Sequence, residues 1–395
     1  MSRKPDVLRV EAEGLGVFER FTSFALAFDL TQPSEANFEL GDDGSWADLE
    51  KFVAHGTKYR IYINGALNLT GRVEVQDVPT DLEGSVVRFS VRTKLADATF
   101  ASADPKTRTV GVTLKQFLLE LYKPLGFTEA DFIFDSNVAR NLITGTSKTS
   151  PKPPINFEAT RQDQAKVKPP ETIFQAADRH LRRFGLMHWD SADGKIVVGA
   201  PDDSTSPLYY FRLLQGRAGR ANNLLSANRI RDWSDVPSGV TVFGTSFGAS
   251  APGNYTAFDT AFGAQAAAAT KGIYSMKPIK SFAVDQDIKR AGFYRPVIIV
   301  NEGLRSAAMA DRASKRELTN RSKKKQVWEL VTDGLSYWDG NRSIPFGIDT
   351  VCDITTTVVG GPAGAHLIHR VELSRTPTEG DKARLVALQK GLWVL

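Results

Sequence analysis

The chain has 395 residues and a net charge of +5, and hydrophobic residues make up 42% of it. The length predicts two to four domains, and a charged fraction of 24% is that of a globular protein rather than a disordered chain. We expect no membrane span, because no run of about 18 or more apolar residues occurs. The N-terminal residues lack an apolar run after their basic side chains, so we expect no signal peptide. A single cysteine, Cys352, excludes an intrachain disulfide and fits assembly in a reducing cytoplasm.

Residues 1–98 predict a first small β-barrel. Side chains alternate between large apolar and smaller or polar along 24–30 and 87–91, which is typical of strands with one buried face. Asn64-Gly65 separates two such segments and predicts a tight hairpin, because both central residues of a type I′ turn need a positive φ. A helix is predicted over 45–55. Many short strands with one helix are typical of a small barrel.

Residues 99–205 predict a small α/β domain with a proline-rich loop. Thr113 and Gln116 form a capping-box pattern ahead of an amphipathic helix. The stretch 141–170 contains five prolines and predicts an ordered loop or semi-rigid linker. A second helix is predicted to begin near 170, followed by strands over 186–189 and 195–198.

Residues 206–290 and 333–395 predict a second β-barrel, with a strand–helix–strand insertion over 291–332. Within it, 222–244 predicts a strand, a turn rich in Asp, Ser and Pro, and a second strand. Residues 245–289 are rich in Gly, Ala, Ser and Thr and contain few large apolar side chains. We therefore expect a long mobile loop over 245–289 that a partner would order.

The order and spacing of these segments resemble the central baseplate hub protein of contractile-tailed bacteriophages, the Mu-like tail hub. The resemblance rests on NNLLSANRIRDWSDVPSGVTVFG at 222–244, NGALNLTGRVEV at 64–75, and PPETIFQAADRHLRRFGLMHWDSADGKIVVGAP at 169–201. That family is related in fold to the N-terminal part of type VI secretion spike proteins. The resemblance implies a β-rich α+β fold in which two small β-barrels carry two inserted α/β subdomains.

The resemblance also implies a structural virion protein with no catalytic activity, no cofactor and no metal. It implies a homotrimer, because three chains with two similar barrels each give six quasi-equivalent units around a ring. Such a ring joins a six-fold tail tube to a three-fold spike. The implied partners are the tail spike protein, the tail tube protein, other baseplate subunits and the tape-measure protein. The implied location is the tail baseplate of a virion assembled in the bacterial host cytoplasm.

A tail-associated peptidoglycan hydrolase is one alternative function. It needs a carboxylic acid in an apolar pocket and a second carboxylate nearby, and pairs such as Asp202-Asp203 lie in turn-rich segments. His366 and His369 have an HxxH spacing, but in a predicted strand positions three apart point to opposite faces, so we expect no metal site.

A basic nucleic-acid-binding module is the other alternative, because eight basic residues fall within 305–325. Aromatic side chains for base stacking are not interleaved among them. The same segment fits a solvated helix face, or a seat for an acidic neighbouring subunit. We expect His180 and His188 to pack beside aromatic residues.

Arg229, Arg231 and Trp233 are the candidate interface residues. Arg229 and Arg231 share one parity of the predicted strand and Ile230 has the other, so we expect both arginines to leave the core together. A solvated strand face explains them as well as a contact does. Trp233 favours the contact, since Trp and Arg are over-represented where interfaces carry their binding energy.

Overall fold

The computed structural model of the protein describes residues 5–18, 21–41, 53–81, 84–107, 111–134, 167–182, 184–215, 222–244, 279–301, 304, 307–357 and 364–390. Strands outnumber helices throughout these ranges, and the predicted β-rich α+β class is confirmed. The predicted helix over 45–55, the proline-rich loop and most of the loop 245–289 lie outside the described residues.

The first β unit contains the N-terminal strands. They are β1 (Leu8–Ala12), β2 (Gly16–Phe18), β3 (Ser23–Asp29), β4 (Gln32–Gly41), β5 (Lys58–Ile63), β6 (Ala66–Asp77), β7 (Thr80–Asp81) and β8 (Gly84–Arg92). The predicted hairpin turn is confirmed: Asn64 and Gly65 have φ of 52° and 81°, and Ile63 pairs with Ala66 across them. Alternate side chains of β3, β4 and β8 are buried, which follows from the period-two pattern.

The α/β unit follows directly after β8. It contains α1 (Asp97–Phe100), α2 (Leu114–Tyr122), β9 (Phe132–Ile133), α3 (Ile173–Arg182), β10 (Met187–Asp190) and β11 (Ile196–Gly199). The strands form a sheet in the order β10-β11-β9. The predicted capping box is confirmed, since Gln116 N donates to Thr113 Oγ1 at 3.1 Å and Thr113 N donates to Gln116 Oε1 at 2.9 Å.

The C-terminal part of the chain divides between two units. Its elements are β12 (Tyr209–Leu213), β13 (Ser226–Ile230), β14 (Gly239–Gly244), β15 (Ile279–Val284), α4 (Gln286–Arg290), β16 (Pro296–Asn301), α5 (Ala307–Ser322), β17 (Val327–Asp333), β18 (Ser336–Trp338), β19 (Ser343–Pro345), β20 (Thr350–Thr356), β21 (Gly364–Thr376) and β22 (Gly380–Gln389). We call β12, β13, β17, β20, β21 and β22 the second β unit. We call β14, β15, β16, α4 and α5 the insertion unit.

The two β units share one 14-stranded sheet. Its main path runs β13-β17-β22-β21-β3-β4-β8-β6-β5-β1-β2, with β20 and then β12 branching from β21, and β7 pairing with β8. One hydrophobic cluster contains buried residues of both units, among them Phe38 and Trp328. Among the described strands the pairings form an open, branched path, and no ring of strands closes within them.

The insertion unit differs from the predicted strand–helix–strand over 291–332. β14 lies between β15 and β16 in a separate sheet, whereas β17 pairs with β13 and β22 in the large sheet. The end of the predicted loop is also regular, because 279–284 and 286–290 form β15 and α4. Alternation predicts that a segment is a strand, but pairing with residues distant in sequence decides which sheet the strand joins. The predicted assignment of β14 and β17 to their sheets was wrong for this reason.

Gly71 is required by a close approach between β6 and β8. A Cβ at Gly71 would lie 2.5 Å from the Arg92 carbonyl oxygen and 2.9 Å from Val91 Cγ1. Because the nearest obstacle is backbone, Gly71→Ala is expected to lower the free energy of unfolding by about 2 kcal/mol or more, as measured by urea denaturation. Gly41→Ala is the control, since the nearest atom to its Cβ would be Thr22 Oγ1 at 3.8 Å. Equal losses in the two variants would contradict the prediction.

Candidate functional site

The structure separates the three predicted interface residues. Arg229 is half-buried: its Nη2 donates to Gln326 Oε1 at 3.2 Å, and its guanidinium carbon lies 5.6 Å from the ring centroid of Trp328. Ile230 faces outward and is 36% exposed. The prediction that both arginines leave the core is therefore wrong for Arg229. The stem of an arginine packs well over an aromatic ring. Arg229 therefore faces the inner side of β13, the side on which the sequence had placed Ile230.

Arg231 and Trp233 follow β13 in a turn between two units. Arg231 is exposed and Trp233 is half-buried. Arg295 holds this turn, since its Nη1 donates to the carbonyl oxygens of Trp233 at 2.5 Å and Ser234 at 2.7 Å. The turn is therefore fixed against the first residues of β16, which places Arg231 and Trp233 close to the insertion unit.

An exposed apolar surface that the sequence prediction missed lies on the insertion unit. We call it the insertion face; it is the side of the sheet opposite α5. Its residues are Thr241, Phe243, Lys280, Phe282, Ile298 and Val300. Thr241 pairs with Phe282 on one side and Ile298 on the other, and Phe243 likewise pairs with Lys280 and Val300. Phe282 is 56% exposed, Ile298 69% and Val300 48%.

The other side of this sheet explains the exposure. Val240 and Val242 point to the side of α5 and pack with Ala310 of that helix and with Leu304, which precedes it. The run Pro296 to Val300 is apolar at every position, so both of its faces carry apolar side chains. One helix covers one face. An unbroken apolar run in a unit with only one predicted helix was the signal in the sequence that could have identified the insertion face.

Helix α5 connects the insertion unit to the α/β unit. The Arg316 side chain is 13% exposed; its Nη1 donates to the Leu186 carbonyl oxygen at 2.5 Å, and its Nη2 lies 3.9 Å from Asp178 Oδ1. Burial lowers the pKa of Arg316 to about 10. Burial, together with Arg316 and Arg182, lowers the pKa of Lys323 to about 8. The basic segment 305–325 is thus partly a packed contact rather than a wholly solvated helix face.

His180 and His188 pack in the interior. His188 lies between aromatic rings, 4.3 Å from Phe174 and 6.1 Å from Tyr122 between ring centroids, and burial lowers its pKa to about 4. His180 packs 4.2 Å from Phe117. The expectation that both pack beside aromatic residues is confirmed. Over the described ranges, no three His, Cys, Asp or Glu side chains cluster closely enough to hold a metal ion.

Two buried carboxylates make structural hydrogen bonds, one between units and one within a turn. Asp190 Oδ2 accepts from Ser34 N at 2.6 Å and Thr93 Oγ1 at 2.8 Å, which ties β10 to the first β unit. Burial raises the pKa of Asp190 to about 6, although these hydrogen bonds oppose the rise. Asp202 is also buried, and it accepts from Ser204 N at 2.9 Å, a turn-forming contact rather than one aimed at a pocket.

Comparison with known proteins gives one sequence relative. The chain is 24% identical over 314 residues to the baseplate hub protein gp44 of Escherichia phage Mu, a match that spans 78% of this chain and 69% of that protein. No family model matches the chain. Among the helices that the structure describes, none has the length and apolar character needed to cross a membrane.

Solved structures share the fold over nearly the whole chain. The tail protein from Neisseria meningitidis MC58 gives a TM-score of 0.70 at 15% identity and covers 99% of this chain and 98% of that one. The 43 kDa tail protein of prophage MuSo2 from Shewanella oneidensis gives 0.70 at 18% identity, covering 98% and 100%. An Escherichia coli component of the type VI secretion system, described as structurally similar to T4 tail proteins gp27 and gp5, gives 0.53 at 11% identity, covering 98% and 78%.

The resemblance to Mu-like baseplate hubs and to type VI secretion components is therefore confirmed. The similar proteins are named as tail and baseplate components.

Asp190 provides a pH-dependence prediction. Its pKa is raised from 3.8 to about 6, so between these values the folded state holds the proton more tightly than the unfolded state. The contribution of Asp190 to the free energy of unfolding therefore falls as the pH rises from 4 to 6 and stays low above that range. His188 acts in the opposite direction, because its pKa is lowered from 6.5 to about 4 and the stability it contributes is lost as the pH falls.

Asp190→Asn isolates the carboxylate from the histidines. The free energy of unfolding of the variant minus that of the parent protein is expected to increase by roughly 2 to 3 kcal/mol from pH 4 to pH 7. Urea denaturation at several pH values measures it. Glu120→Gln, at an exposed position of α2, is the control and is expected to leave this difference flat. A flat difference for Asp190→Asn as well would contradict the prediction.

Proposed function

We propose that the protein is the central hub of a phage tail baseplate, a structural virion protein without catalytic activity. The observation that carries the proposal is the 24% identity to the Mu baseplate hub protein over 314 residues. The fold shared over nearly the full length with two tail proteins supports it.

The proposed assembly is a homotrimeric ring that joins the six-fold tail tube to the three-fold spike. The first β unit, with eight strands of the large sheet, and the second, with six, are proposed to form two similar barrels, with the α/β and insertion units inserted beside them. Three such chains carry six β units around one axis, which fits a six-fold partner on one side and a three-fold partner on the other.

The proposed partners follow from this position. They are the tail tube protein, the tail spike protein, other baseplate subunits and the tape-measure protein. The proposed location is the tail baseplate, with assembly in the host cytoplasm. Direct contact with nucleic acid is not part of the proposal, since Arg316 and Lys323 of the basic segment pack within the protein.

Gold-labelled antibodies against the purified chain test the function. Electron microscopy of phage particles is expected to show label at the end of the tail nearest the host. Particles from a strain in which the coding sequence is deleted are expected to lack an assembled baseplate, and a plasmid copy is expected to restore it. Label along the tail sheath or on the capsid, or normal baseplates after the deletion, would overturn the proposal.

Arg231 is the sharper test of the proposed interface, because its side chain is exposed. Arg231→Glu is expected to change the free energy of unfolding by less than about 0.5 kcal/mol. In a desolvated contact it is expected to weaken trimer or tube attachment by roughly 2 to 5 kcal/mol. Light scattering and particle assembly measure the attachment. Lys106→Glu, in an exposed turn of the α/β unit, is the matched control.

Arg229→Glu is expected to behave differently from Arg231→Glu. It removes the guanidinium over Trp328 and the bond to Gln326, so it is expected to destabilise the isolated chain by about 1 to 3 kcal/mol. Normal assembly of Arg231→Glu particles would place Arg231 outside the interface.

A further inference from the structure

The insertion face is an apolar sheet surface that the fold leaves uncovered in the described residues. Phe282 lies across Gly239, where a Cβ would meet its ring at 2.8 Å, so the aromatic ring lies flat along the sheet. Lys280 Nζ lies 5.3 Å from the Phe243 ring centroid, and its charge therefore lies at the border of the apolar surface. Sheets bury apolar faces against a second layer, so the insertion face is built to be covered.

The distribution of charge along the chain indicates what covers it. Residues 279–325 contain twelve basic and five acidic residues, a net charge of +7, although the whole chain carries only +5. Residues 1–98 contain eleven basic and sixteen acidic residues, a net charge of −5. Most of these basic residues lie on or after α5, on the other side of the sheet, whereas Lys280 borders the insertion face. A partner that places an acidic side chain beside apolar ones therefore fits this face.

The hairpin β1–β2 is the part of the first β unit that fits the insertion face. β2 is the last strand of the large sheet, so one of its edges has no neighbouring strand among the described residues. Leu15 is 40% exposed and Val17 is 44% exposed. Glu13 lies beside them, 3.5 Å from Lys58, in an ion pair whose side chains are 55% and 70% exposed. Such exposed pairs contribute little, so Glu13 can turn to a basic partner at small cost.

We propose that the insertion face of one copy binds the β1–β2 hairpin of a second copy. This rests on the proposed trimer and names the surfaces that hold it together. Leu15 and Val17 cover Ile298 and Phe282, while Glu13 lies near Lys280. The two surfaces are different parts of the same chain, so the contact is head-to-tail, and repeating it around a three-fold axis closes a ring.

Two variants test the contact by mixing. Ile298→Asp disables the insertion face and Val17→Asp disables the hairpin; both positions are exposed, so the monomers are expected to fold. Each variant alone is expected to be monomeric by light scattering at concentrations where the parent protein is trimeric, at least a tenfold weakening. An equimolar mixture is expected to give a one-to-one dimer, because it contains one intact hairpin and one intact face. The contact in this dimer joins the unchanged hairpin of the Ile298→Asp chain to the unchanged face of the Val17→Asp chain, so neither new aspartate lies in it.

The controls separate this proposal from the proposed function. Phe100→Asp, at a side chain 71% exposed on the α/β unit, is expected to stay trimeric. Trimers of Ile298→Asp or Val17→Asp would overturn the proposal and assign the surface to a different baseplate protein. So would a mixture that stays monomeric, or a parent protein that is monomeric at every concentration. Baseplate labelling by the antibody would leave the proposed function standing in each of these cases.

Discussion

The two β units depend on one strand, β21, which changes its partner partway along its length. Residues 364–368 pair with β20, and from Arg370 the same edge pairs with β3 of the first β unit. The change falls at a bulge at His369, whose carbonyl oxygen accepts from Leu30 N at 3.2 Å. A bulge adds a residue and bends the strand. β21 can therefore pair with β20 before the bulge and with β3 after it, while β22 pairs with its other edge on both sides of the bulge. The relative position of the two β units is therefore set by main-chain pairing.

Buried polar contacts fix the remaining edges of this arrangement. Asp6, ahead of β1, accepts from Leu335 N at 2.6 Å and from Ser336 Oγ at 2.8 Å, and its carbonyl accepts from Arg375 Nη2 at 2.8 Å. These bonds join the first and last parts of the chain. Because an unpaired buried carboxylate is costly, such contacts favour one relative placement of the units over others that would bury similar apolar area.

The sequence could predict local structure well where the signal was local. The Thr113–Gln116 capping box and the Asn64-Gly65 turn are set by neighbouring residues, and both were found as predicted. The sheet to which a strand belongs was not predictable in the same way, because β14 and β17 have similar alternation but pair with different distant strands. The prediction that Arg229 leaves the core was wrong for a related reason. Trp328, whose ring Arg229 covers, lies about a hundred positions away in sequence, and the parity of a strand position cannot show which face that ring occupies.

The insertion unit shows how a small sheet can leave one apolar face exposed among the described residues. Val297 and Ile299 are partly buried beneath α5, whereas Ile298 and Val300, between and beyond them, point away from it. A strand that is apolar at every position needs two covering layers, but within the described residues one helix, α5, packs against this sheet. Arg316 bonds that helix to the Leu186 carbonyl of the α/β unit, so the element beneath the exposed face is also joined to a neighbouring unit. An apolar face that is supported from beneath in this way loses little conformational entropy on association, and this favours the proposed contact between copies.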